Sequence, residues 1–74
     1  NIDQLAADTA KGQGETLSAL TELVGVSSSD SAEFSELMQA NFDEMFSADS
    51  TSASAYDAMV TAISGNANLA KYLG

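Results

Sequence analysis

Large apolar residues along this chain recur at intervals of three and four, and glycines at positions 12, 14, 25, 65 and 74 divide the repeats into separate runs. Nothing alternates with period two for long enough to predict a strand. Ile2, Leu5 and Ala6 share one side of a first segment, Asn1 to Lys11, with Asn1 as a cap and Gly12 as a stop. So short a helix frays unless it is packed. A second helix is predicted from about Glu15 to Val24. Leu17, Leu20 and Val24 form its face, Leu23 flanks that face, and Glu15, Ser18 and Glu22 point away. Gly25 fits the left-handed position that ends a helix.

Val26 and Ser27 to Ser29 read as a loop, and Asp30 with Glu33 resembles a capping box. The third helix, about Ser31 to Phe46, has the clearest periodicity. Phe34, Leu37, Met38, Phe42 and Met45 line one side, and Glu33, Glu36, Asp43 and Glu44 the other. Ser47 to Ser54 form a polar loop whose hydroxyls can cap the next helix, with Ser54 and Asp57 the preferred pair. The fourth helix carries Tyr56, Met59, Val60 and Ile63 on one stripe, with Ala55, Ala58 and Ala62 beside it, and Gly65 closes it. A last short helix, Ala67 to Leu73, can dock Leu69, Tyr72 and Leu73, with Lys71 near its C-terminal end where a cation is favoured. Four or five short helices with short connections imply an all-α fold, a small antiparallel bundle making one domain of residues 1–74.

Composition makes that bundle lean. Leu, Ile, Val and Phe number fifteen among 74 residues, and with a net charge of −9 this borders on the disordered class. Three Met and two Tyr raise the large apolar count to twenty, and thirteen Ala favour helix, so a folded domain is the better reading. A domain of this size buries only about 60% of its unfolded surface. Without cysteine it has neither a disulfide nor a thiolate-bound metal to staple it. Either the helices pack efficiently or a partner supplies further burial.

Charge narrows the partners. Lys11 and Lys71 are the only cationic side chains, too few to neutralise a nucleic-acid backbone, and an anionic membrane surface repels the chain. No apolar run approaches the roughly 20 residues of a transmembrane helix, and no signal peptide is present. Opening on Asn1 rather than methionine, the chain reads as a processed product or a fragment.

Site chemistry is scarce. Counted from Asp49, an EF-hand loop places Ser54 where its glycine belongs and Val60 where its bidentate Glu belongs, so the pattern fails. Without histidine there is no Glu-x-x-His diiron pair, and the acidic row of the third helix reads as a solvated face rather than a cation site. No cofactor or metal is expected. Serine is plentiful, but no general base accompanies it, and a bundle this small leaves little volume for a catalytic cleft, so the chain does not read as an enzyme.

Four local features carry alternatives. Asp30-Ser31 at the start of an acidic helix resembles the phosphopantetheine site of carrier proteins, but Ala32 stands where that motif has leucine and the Gly25 to Asp30 loop is short. The plainer reading is a helix start. Gly12-Gln13-Gly14 before Glu15 is either an anion-holding turn or simply a tight interhelical connection. Asn41 falls on the apolar arc of the third helix, with its amide bonded to backbone at the core boundary or meeting a partner. Ala55, Ala58 and Ala62 make either a close contact within the bundle or an intermolecular seam.

The run Leu5-Ala-Ala-Asp-Thr-Ala-Lys-Gly-Gln-Gly-Glu-Thr-Leu17, then Leu20, Leu23 and Gly25, then Gln39-Ala-Asn-Phe42 and Phe46, resembles a family of uncharacterised exported proteobacterial proteins classed as a domain of unknown function. The resemblance spans about Ile2 to Tyr72. Its most specific elements are Ala-Lys-Gly-Gln-Gly-Glu and Gln-Ala-Asn-Phe. Members resemble one another as precursors with a signal peptide and a further N-terminal portion, so this chain corresponds to their C-terminal helical part. The resemblance implies a periplasmic or extracellular location and supplies no catalytic residues. Taken together, these features lead to the expectation of a non-catalytic exported module acting through protein contacts, with a partner or as a homo-oligomer or filament. Asn41, Ala55, Ala58 and Ala62 are the candidate contact residues, and a carrier protein modified at Ser31 is the alternative.

Overall fold

Helices α1 (Ile2–Lys11), α2 (Glu15–Val24), α3 (Ser31–Ala40), α4 (Phe42–Met45) and α5 (Ser52–Ser64) follow one another in chain order, and a 3-10 segment, Leu69–Leu73, closes the fold. A computed structural model describes residues 2–73; Asn1, the cap expected for α1, and the last glycine, Gly74, lie outside the described residues. No strand occurs among the described residues, so the chain is all-α, as the spacing of its apolar residues predicts.

One core holds the elements together. Leu17 from α2, Phe34 and Met38 from α3, Met45 from α4, Met59 and Ile63 from α5 and Leu69 from the C-terminal segment are all buried in it. All three methionines are among them, and their unbranched thioethers suit the irregular spaces between short helices. Leu5, Leu20, Val24, Leu37 and Val60 pack against this cluster from the side. The radius of gyration is 11.1 Å, against roughly 11 Å for a compact domain of this length.

Local chemistry sets the ends of the helices. Gly25 takes φ 89°, and its N–H and that of Val26 return to the carbonyls of Thr21 and Glu22, closing α2 with the left-handed turn expected there. The predicted third helix is broken in two. Asn41 adopts φ −104° and ψ 18°, and its Nδ2 donates to the carbonyl of Leu37 at 2.9 Å. The backbone N–H of Asn41 reaches the same carbonyl at 3.1 Å, so the amide adds a second donor there; such local side-chain bonding favours termination, and the chain restarts one residue later as α4.

Three further expectations need correction. The cap of α5 is Thr51, not Ser54: Thr51 Oγ1 accepts from the N–H of Ser54 at 3.1 Å while Ser54 Oγ accepts from the N–H of Thr51 at 2.8 Å. This reciprocal pair starts the helix at Ser52, inside the expected loop. Asp30 makes no side-chain cap on α3, because its carboxylate is engaged by the C-terminal segment. That segment is a 3-10 turn rather than a helix from Ala67. Asn66 Oδ1 accepts from the N–H groups of both Asn68 and Leu69, which holds Ala67 and Asn68 in a turn.

Candidate functional site

The turn between α1 and α2 is built around one carboxylate. Leu5, Asp8 and Thr9 share the inner face of α1, and Asp8 is buried. Its Oδ2 accepts from the N–H of Thr16 at 2.9 Å and of Leu17 at 3.2 Å, and its Oδ1 from Nε2 of Gln4 at 2.8 Å. The open N-terminus of α2 is therefore an anion site filled by the chain itself. The Gln4 amide, followed by the two backbone donors, holds the Asp8 carboxyl below its usual range against the opposing effect of burial. Gly14, at φ 145°, passes so close to this carboxylate that a Cβ there would overlap it. On the other side, Gln39 Nε2 donates to the carbonyl of Ala10 at 2.8 Å beside Gly12. The two runs that carry the family resemblance, around Gly12 and around Gln39, thus meet in space.

A second polar assembly ties the C-terminal segment to α3. Lys71 Nζ lies 3.0 Å from Asp30 Oδ2, which also accepts from the hydroxyl of Tyr72. Asn68 Nδ2 donates to Asp30 Oδ1 at 3.0 Å and to Glu33 Oε1 at 2.9 Å, and Asn66 Nδ2 donates to Glu33 Oε2 at 3.0 Å. The Tyr72 hydroxyl, then Asn68 and Lys71, hold the Asp30 carboxyl well below the usual carboxylate range, and Asp30 in turn raises the Lys71 ammonium. These bonds position Tyr72 and Leu73.

Tyr72 and Leu73 form one end of an apolar trough. Helix α2 packs on α1 and α3, and α5 on α3, α4 and the C-terminal segment, while α2 and α5 are less closely packed on each other than any of these pairs. Between them lies a hollow of about 310 Å³ lined by Ile2, Leu5, Leu20, Leu23, Tyr56 and Met59, with Met45 and Ala55 among its other walls. A second hollow of about 250 Å³ shares Leu20, Leu23, Tyr56 and Met59 and continues past Val24 and Val60 to Leu73. Among the described residues no charged side chain lines either part. Leu23 is 84% exposed, Tyr56 59% and Leu73 43%, and these are the exposed large hydrophobic residues among the described ones. All three stand on this single trough.

The residues singled out from sequence are distributed unevenly about this feature. Ala55 is buried and lines the trough, whereas Ala58 and Ala62 are half-buried and Ala58 packs against the core. Asn41 is half-buried at the break between α3 and α4, its amide bonded to backbone, and lines neither hollow. Ser31 is half-buried at the start of α3 and donates to the carbonyl of Ser28 at 3.0 Å. Periodicity places Leu23 on the flank of the α2 face and Tyr56 on the apolar stripe of α5, yet both are exposed walls of the trough. A leucine on the flank of an otherwise sufficient apolar face is the signal the sequence holds for the former. Among the described residues no helix is long and apolar enough to cross a membrane, and no three metal-ligating side chains come together as a group.

Residues 1–73 match the profile of a family described as "Protein of unknown function (DUF3015)". No curated protein and no solved structure matches the chain.

Proposed function

The chain belongs to the DUF3015 family, and for this member we propose a non-catalytic, exported helical module that acts by binding another protein through the trough between α2 and α5. One observation carries the reading: Leu23, Tyr56 and Leu73 stand together on one groove instead of being scattered over the surface. Single exposed apolar residues are ordinary, but a contiguous set along an open groove is what a protein contact covers. Tyr56 suits such a contact, because its ring offers apolar area and its hydroxyl stays wet.

The fold gives the trough rigid walls. Met59 and Ile63 fix α5 to the core, Leu17 fixes α2, and the Asp30 assembly holds Leu73 at the end. Export rests on the family resemblance, and the absence of cysteine suits passage through an oxidising compartment.

The size of the native protein tests this function. In periplasmic or culture-fluid material from its own host, the chain should run in a complex well above its 7.6 kDa mass. The double variant Leu23→Gln, Tyr56→Gln should run as the free monomer. A wild-type chain that is monomeric in native material, or a variant that keeps the same complex, would refute the proposal.

A further inference from the structure

The trough is apolar, but the helices that wall it are acidic. Asp3 on α1, Glu22 on α2 and Asp57 on α5 are exposed, and none of them lines the trough itself. Neither lysine lines the trough. Lys71 is engaged by Asp30, and Lys11 lines a separate hollow together with Glu15 and Glu22. An apolar seam that neither lysine lines, on a chain of charge −9, has its complement in an apolar stripe flanked by cations.

We propose that the occupant of the trough is a cationic amphipathic helix of a partner protein, with apolar anchors at i, i+3, i+4 and i+7 and Lys or Arg beside them. This rests on the reading of the trough as a protein-binding site. The shape agrees, because the two hollows join along α5, whose 13 residues span about 20 Å, the length of three to four helical turns. Charge disfavours the other occupants. A second copy would bring two chains of −9 together with neither lysine at the seam, and a fatty acid or anionic lipid would find neither lysine there for its headgroup.

The test is a titration of the isotope-labelled full chain with a helix-forming Leu/Lys peptide of about 14 residues, with leucine at those four spacings. A scrambled peptide of the same composition is the comparison, and laurate is titrated separately. The expected result is saturable binding of the first peptide with amide shifts at Leu20, Leu23, Tyr56 and Val60, weakening as salt screens the charges. Leu23→Gln with Tyr56→Gln should weaken it at least about tenfold, as loss of two central apolar anchors does, whereas Ala32→Gln on the exposed start of α3 should leave it unchanged. These replacements are neutral and exposed, so charge and core stay as they are. Equal binding of the scrambled peptide, or equal binding by the double variant, overturns the proposal. Tighter binding of laurate than of the peptide at the same amides overturns it in favour of a lipid. Self-association through Leu23 and Tyr56 that strengthens with salt overturns the cationic partner while leaving the protein-binding function intact.

Discussion

The carboxylate of Asp8 occupies the space that a side chain on Gly14 would need. Asp8 is thereby able to reach the N–H groups of Thr16 and Leu17 and close the N-terminus of α2 from α1. Gly14→Ala should cost about 2–4 kcal/mol, combining an unfavourable positive φ with displacement of the buried carboxylate. Gly25→Ala should cost only about 1–2 kcal/mol, since Gly25 also has positive φ but nothing lies within 4 Å of its added Cβ. Urea unfolding of the two variants measures the difference, and equal losses would contradict the close approach.

Acidification should erase the advantage of Asp8 and Asp30. Both carboxyls sit below their ordinary value of 3.8 in the folded chain. A lowered folded pKa gives stability that is present above the unfolded value and lost as pH falls through the folded one. Protonation of the other carboxylates relieves repulsion and acts in the opposite sense, so the comparison must be with Asp8→Asn and Asp30→Asn rather than with the wild type alone. Each variant should melt below the wild type at neutral pH, and the gap should close as pH falls below 3.8. A gap that widens in acid would contradict the assigned bonds.

Thr9 is fully buried on α1, and its hydroxyl oxygen has no hydrogen-bond partner. A desolvated hydroxyl without a partner is destabilising, so Thr9→Val, which keeps the branched shape, should stabilise the fold by about 1 kcal/mol. Thermal unfolding checks this, and a loss of stability would mean that the hydroxyl is bonded.

Periodicity reveals much of this fold because its helices are short, amphipathic and separated by glycine, as at Gly25. It misses the break at Asn41, where position on an apolar arc hides an amide that bonds locally to the Leu37 carbonyl. It misplaces the α5 cap because the loop offers many hydroxyls, and only the backbone at Thr51 selects one. It sets Tyr56 on the core stripe, but Ala55, Met59 and Ile63 are the buried residues, so the small alanine turns the stripe and leaves the ring outside. Contacts such as Tyr72 with Asp30, 42 residues apart, have no local signal at all. The trough has none either, because it lies where α2 and α5, distant in sequence, pack only loosely on each other.

Leu23 is the most exposed of the three large apolar residues on the proposed protein-binding surface. A photo-crosslinking amino acid at position 23, with position 32 on α3 as the comparison, tests it in the native host. A discrete covalent adduct with a protein from position 23 and none from position 32 is the predicted result. No adduct from position 23, or the same adducts from both positions, would contradict it.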